Sequence, residues 1–227
     1  MQLDFGVVTR SLSYLWYGFQ YTVQLTAIAA LGGIFFGTLL AMARLASRQW
    51  LALPAAGYVN LMRSIPLVLV LFWFFFLMPL VFQAITGSER PVQIGAERTA
   101  IITFILFEAA YFCEIMRAGI QSIAKGQVNS AYALGLTYGQ AMRLVILPQA
   151  FRNMIPVLLT QTIILFQDTS LVYVISATDF VGAASRIAQR DGRLIEMYLF
   201  VAVVYFVLCY ALSYAVKSLQ KKIAVIR

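Results

Sequence analysis

GQVNSAYALGLTYGQAMRLVILP, residues 126–148, is too polar and too broken by glycine to cross a bilayer, yet the chain on either side of it is apolar. Small Ala131 and Ala133 come first, then Gly135. About nine mixed residues follow before Val145-Ile146-Leu147-Pro148 opens the next apolar run. Gly135 permits a tight turn between two short helices, because without a Cβ it takes φ > 0 at no steric cost. The alanines leave a low surface for close approach. Pro148 suits the first turn of a new helix, where its missing N–H is not needed. Two readings follow: an amphipathic helix lying on the membrane surface, or a knob that docks another protein.

Composition sets the setting of this loop. The chain has 227 residues, 62% of them hydrophobic and 11% charged, whereas soluble domains carry roughly 25% charged residues. It reads as an integral membrane protein. A net charge of +8 would suit nucleic acid only if the basic residues shared one exposed face; here they flank apolar runs, and no nucleic-acid partner is expected. The absence of histidine excludes a histidine proton relay and a histidine metal site. Cys113 and Cys209 each lie within an apolar run and read as packing residues, not as a disulfide.

Five apolar spans are expected, at about 15–43, 64–83, 99–120, 148–175 and 197–216, in a single transmembrane domain over 1–227, with the polar loop at 121–147. The first carries no charge between Arg10 and Arg44, longer than the roughly 20 residues a spanning helix needs. With Asp4 and no basic segment ahead of it, it reads as a retained span, not a cleaved signal. Ala29, Gly33, Gly37 and Ala41 recur every fourth residue and share one helix face, which lets backbones approach closely. Packing within the chain and packing against another subunit are both open, and the first is preferred. A short connector with Arg44, Arg48, Pro54 and Gly57 leads to a second span that Ser64 would cap, with Pro66 in its first turn.

The third span holds two acids. Glu114 has Arg117 three residues on, a local ion pair. Glu108 has no such neighbour, and an ionisable group at that depth costs several kcal/mol unless it is paired or faces water. It is therefore either functional or a buried structural hydrogen bond. In the fourth span Pro156 would kink the helix, and Gln167-Asp168-Thr169-Ser170 interrupts the apolar run. That cluster either lines a cavity inside the bilayer or ends the helix at the outer surface. A polar stretch with Asp179, Arg186, Arg190, Asp191, Arg193 and Glu196 leads to the last span.

Five spans put the termini on opposite sides. If the N-terminus is outside, Arg44, Arg48, Arg63, Arg117, Lys125, Arg143, Lys217, Lys221, Lys222 and Arg227 all fall on one side, which the positive-inside rule makes the cytoplasm. The outer loops mix acids with Arg90, Arg98, Arg186, Arg190 and Arg193. The polar loop then faces the cytoplasm and the C-terminus lies there too. No G-x-x-x-x-G-K-[ST] run occurs, so no P-loop ATP site is expected in this chain.

The loop resembles the EAA loop of ABC importer permeases: Asn129, Ser130 and Ala131 occupy the Glu-Ala-Ala slots, followed by Gly135 and by Val145, Leu147 and Pro148. The leading Glu and first Ala are replaced. YVNLMRSIPLVLVLFWF, FEAAYFCEIMRAGIQSI, LPQAFRNMIP and FQDTSLVYVIS are similar to segments of the polar amino acid permeases, and RSIPL, LFQDTSLVYV and RDG together are most like those for glutamate and aspartate. The resemblance implies an all-α permease of the type I ABC importer fold in the bacterial inner membrane, with that loop as a coupling helix. It implies cytoplasmic ATPase subunits that bind the ATP and Mg, none being held by this chain, a second homologous or identical permease subunit, and a periplasmic amino-acid-binding protein. Glu108, Gln167, Asp168, Thr169 and Ser170 are the candidate substrate path. An ion-coupled secondary transporter using Glu108 or Asp168, a permease for another polar amino acid, and an anchor subunit with no path stand as alternatives.

Overall fold

A chain this apolar must satisfy its backbone internally. The computed structural model, which describes residues 3–91 and 94–223, does so with helices and no strand among the described residues. In order they are α1 (Gly6–Arg10), α2 (Leu12–Leu45), α3 (Gln49–Ser64), α4 (Leu67–Thr86), α5 (Ala96–Gln121), α6 (Lys125–Ala133), α7 (Tyr138–Ile175), α8 (Phe180–Asp191) and α9 (Leu194–Ile223). Five of them, α2, α4, α5, α7 and α9, are long and apolar enough to cross a membrane. Arg227, counted above among the basic residues, lies outside the described residues.

The core is α5 wrapped by its neighbours. Phe104 and Phe112 are fully buried on it, and α2 lies along it through the small-residue stripe. Ala29, Gly33, Gly37 and Ala41 are all buried. A Cβ on Gly33 would stand 2.9 Å from Glu108 Cβ, and one on Gly37 would stand 2.8 Å from Phe112 Cβ and 2.9 Å from the Ala109 carbonyl oxygen. The stripe is thus an internal helix contact. Cys113 and Cys209 are buried and unbridged.

Several local expectations change. The connector after α2 is a 16-residue helix, α3, which buries Ala55 and Val59 and leaves Trp50, Leu53 and Leu61 exposed. It is tied to α5 by the Tyr58 hydroxyl, which donates to the Leu106 carbonyl at 2.7 Å. Ser64 therefore ends α3 instead of capping the second span; its hydroxyl donates back to the Asn60 carbonyl at 2.7 Å. Pro66 stands just ahead of α4, with φ −59 and ψ 134, and Ile65 before it is extended, φ −115 and ψ 136, since a proline biases the residue before it away from the helix.

Pro148 does not begin the fourth span, which starts at Tyr138. A wide π-type turn over Met142–Ile146 leads into it. The same device, a wide turn over Trp73–Leu77, precedes Pro79 in α4. Proline lacks an N–H and its ring crowds the carbonyl one turn back; widening the turn accommodates both while the helix continues. Within α7, the Thr160 hydroxyl donates to the Pro156 carbonyl at 2.9 Å.

The polar stretch before the last span is also a helix. Asp179 caps α8, its carboxylate accepting from Val181 N at 3.0 Å and Gly182 N at 2.9 Å, and Gly192 ends the helix at φ 66. Phe180, Ala183, Ala184, Ile187 and Ala188 form its buried face, packed with Leu15, Met197 and Val201. Gly18 of α2 is needed here, because a Cβ would stand 2.6 Å from the Asp179 carbonyl oxygen.

Two tests follow from this packing. Gly37→Leu is expected to destabilise the folded protein by about 1–3 kcal/mol, the usual cost of overpacking, while Gly57→Ala, with nothing within 4 Å, lowers no melting temperature; thermal unfolding in detergent followed by size-exclusion chromatography reads both. Burial pushes the Asp179 carboxyl up to about 6 from an ordinary 3.8. A raised acid favours the protonated fold, so its contribution is full below about 3.8 and is lost as pH rises through about 6. Melting temperature should fall across that window, and Asp179→Asn should flatten the dependence.

Candidate functional site

In the middle of the bundle α5 presents Glu108, fully buried. Gln161 of α7 donates through Nε2 to both carboxylate oxygens, at 3.1 and 3.4 Å. A carboxylate shut into an apolar bundle is costly without a donor, and Gln161 supplies one. Asp168 lies seven residues beyond Gln161, close to two helical turns and so on the same face. Its carboxylate is half-buried and makes no hydrogen bond or ion pair among the described residues. Glu108 and Gln161 are thus brought together by α5 and α7, with Asp168 two turns further along the same face of α7. Glu108 does not stand on an open face: Gly33 of α2 backs it and Gln161 covers it.

The rest of the predicted path divides. After Asp168 the helix tightens into a 3₁₀ turn over Thr169–Ile175 and then reverses at Ser176, φ 67. The interruption is therefore a tightening, not a gap with free N–H groups. Thr169 is buried and its hydroxyl donates to the Phe166 carbonyl at 2.7 Å; Ser170 is half-buried. Gln167 turns away from Glu108 into a groove against α9, beside Tyr205, Cys209 and Tyr210. Gln161 escaped the sequence reading, though a lone glutamine inside an apolar run at helical spacing from Asp168 was its signal.

One turn and a half beyond Glu108, Glu114 pairs with more than Arg117. Arg117 approaches its Oε2 at 2.7 Å, Arg44 from the end of α2 hydrogen-bonds its Oε1, and Arg63 from the end of α3 stands 3.5 Å from Oε1. The last turns of α2, α3 and α5 are thereby gathered at one point. Only the partner within the helix was legible beforehand, since the other two come from 51 or more positions away in sequence.

Beyond that point comes the loop. Helix α6 ends with Gly135 at φ 77. The Leu136 N–H donates to the Ala131 carbonyl at 3.1 Å and the Gly135 N–H to Tyr132 at 2.9 Å, the paired bonds of a Schellman ending. Helix α7 then begins with a capping box: Gln140 N donates to Thr137 Oγ1 at 3.4 Å and Thr137 N to Gln140 Oε1 at 2.9 Å. Ala131 and Ala141 are buried between the two helices. Asn129, Ser130 and Pro148 are exposed, Val145 and Leu147 half-buried, and Tyr132, Leu134 and Tyr138 project as bare apolar side chains, Leu134 being 81% exposed. A rigid knob with an apolar tip is the result.

Comparison with known proteins agrees with this architecture. Residues 33–225 match the family described as binding-protein-dependent transport system inner membrane component. The chain is 48% identical over 223 residues, 98% of its own length and 99% of the relative's, to the glutamate/aspartate import permease protein GltK of Escherichia coli O157:H7. It is 34% identical to the probable glutamine ABC transporter permease protein GlnP of Bacillus subtilis (strain 168), covering 92% of this chain and 93% of that one. Among solved structures, an amino acid ABC transporter with histidines superposes with a TM-score of 0.89 at 28% identity, covering 98% of this chain and 100% of that chain. An all-helical bundle with five membrane-length helices, matched over 193 residues by one family and along nearly its whole length by these permeases, belongs to the family of binding-protein-dependent transport system inner membrane components.

Proposed function

We propose that the chain is the permease subunit of an ATP-driven importer for acidic amino acids, glutamate or aspartate, moving them from periplasm to cytoplasm. The observation that carries the mechanism is that one continuous helix, α7, begins in the exposed loop at Tyr138 and carries Gln161 onto Glu108, with Asp168 two turns further along it. A push on the knob is therefore delivered along a rod to the buried carboxylates. The likeness to GltK supports the substrate class.

In this reading the charge distribution sets the N-terminus outside and the C-terminus in the cytoplasm, so that the loop meets cytoplasmic ATPase subunits that hold ATP and Mg. Leu134, Tyr132 and Tyr138 seat in the ATPase, with Asn129 offering hydrogen bonds where a glutamate would offer charge. Closure of the ATPases tilts α7, draws Gln161 off Glu108 and opens the path. Freed from Gln161, Glu108 accepts the substrate ammonium. Asp168 with Thr169 and Ser170 shapes the outer end. A second permease subunit, identical or homologous, completes the path, and a periplasmic binding protein delivers substrate; Arg186, exposed and bonded to the Tyr14 hydroxyl at 3.2 Å, lies in the outer region that would receive it.

Three measurements on the reconstituted complex test this. Labelled glutamate uptake should be inhibited strongly by unlabelled aspartate and little by arginine or histidine; the reverse pattern sinks the substrate class. Gly135→Val, straining a left-handed residue by about 1–3 kcal/mol, should lower binding-protein-stimulated ATPase and uptake together without changing the melting of the membrane core. Glu108→Gln should reduce uptake by about tenfold or more, the loss of one charge-assisted hydrogen bond, leaving ATPase binding intact; normal uptake would remove Glu108 from the path.

A further inference from the structure

Arg63 is the one member of the Glu114 cluster left without a hydrogen bond. Glu114 Oε1 is taken by Arg44, and Oε2 receives Arg117 Nε at 3.0 Å and Nη2 at 2.7 Å. Arg63 reaches Oε1 only at 3.5 Å and makes no hydrogen bond among the described residues, although a guanidinium carries five N–H donors in a planar fork. One face of it lies 5.5 Å over the Tyr111 ring, and 42% of the side chain remains exposed.

The exposed part opens on a cleft of about 430 Å³ between α3, α5 and α7, lined also by Glu114, Ser122, Asn153 and Met154. Three guanidinium groups against one carboxylate leave a surplus of two positive charges in the cluster. Partly dehydrated charge of that kind calls for a counter-ion. Asn153 donates one amide hydrogen to the Ser122 hydroxyl at 2.9 Å and has a second N–H to give.

We infer that this cleft is a binding site for a small carboxylate, held by the fork of Arg63 and by the Asn153 amide. It is separate from the Glu108 site, which lies deeper on α5 and is closed by Gln161. Its floor is the end of α5, three residues before α6 begins, so an occupant braces α5 against α7 at the base of the coupling loop. Resting on the proposed function for the identity of the acid, the ligand is the acidic amino acid on the cytoplasmic side, and the site reports accumulated product to the loop.

Isothermal titration calorimetry of the purified permease–ATPase complex without binding protein tests this, with glutamate as probe and inorganic phosphate as competitor. Glutamate should bind, with affinity reduced by about tenfold in Arg63→Gln, the loss of a charge-assisted pair, and partly retained in Arg63→Lys, which keeps the charge but not the fork. Asn153→Leu, at an exposed position that leaves the ion cluster untouched, should weaken binding comparably, and so keeps the test decisive if Arg63→Gln fails to fold. Equal affinity in all variants, no binding to the unmodified complex, or phosphate binding that glutamate does not displace would each overturn the inference. Intact glutamate uptake with binding indifferent to Arg63 removes this site alone; Arg63-dependent glutamate binding without glutamate uptake removes the transport reading alone.

Discussion

The close approach of α2 to α5 is the constraint on which the rest depends. In lipid, helices gain little from burying apolar surface against each other, so association rests on packing distance. Gly33 and Gly37 bring the α2 backbone against Phe112, Ala109 and the stem of Glu108. That contact seals one side of Glu108 from lipid. It also delivers the end of α2, with Arg44, to Glu114. A longer side chain at either glycine would separate both pairs at once, so the interior carboxylate and the ion cluster are consequences of the same two missing methyl groups.

The second constraint is continuity. A proline normally ends or breaks a helix, and at Pro148 a break would detach the loop from the bundle. The wide turn over Met142–Ile146 keeps the helix whole, and the thirty-one residues from Tyr138 to Asp168 span about 45 Å at 1.5 Å per residue. The Schellman ending of α6 and the capping box of α7 fix the knob at one end of that rod. Its other end tightens at Thr169 beside Asp168. The exposed loop and the contact with the buried acid are thus joined in one element.

Much of this was legible in advance where the signal was local. Gly135 announced a left-handed turn, and the Ala29–Ala41 stripe announced a close contact. The long, nearly uncharged apolar runs announced the five membrane-length helices. Features that depend on distant partners were not legible. Gln161 over Glu108, and Arg44 and Arg63 around Glu114, are pairings across 51 to 70 positions that no helical spacing reveals. Helix α3 was hidden by Pro54 and Gly57, which read as a connector, and α8 by its charges, because its buried face is built mainly of alanine and registers weakly as apolar. Pro148 misled for a physical reason: the rule that proline starts helices assumes that the preceding turn stays at normal width.

A buried acid covered by an amide is suited to a two-state path. Gln161 gives Glu108 a neutral donor, so the closed state keeps the carboxylate satisfied without the tight hold of a cation; a charge-assisted partner would be worth about 1.5–3 kcal/mol, against about 1 kcal/mol for an ordinary hydrogen bond. The weaker cover costs less to withdraw. In the proposed transport cycle an incoming ammonium replaces it at a gain, which biases the open state toward occupancy, and the closed state returns once the ligand leaves. The arginines at Glu114 do the opposite work: Arg44 and Arg117 hold the ends of α2 and α5 together, with Arg63 of α3 more loosely placed at 3.5 Å, so that in the proposed reading the movement falls on α7. A neutral cover over one carboxylate and ion pairs around the next, six residues along the same helix, set a weakly held contact with α7 beside a fixed one with α2 on α5.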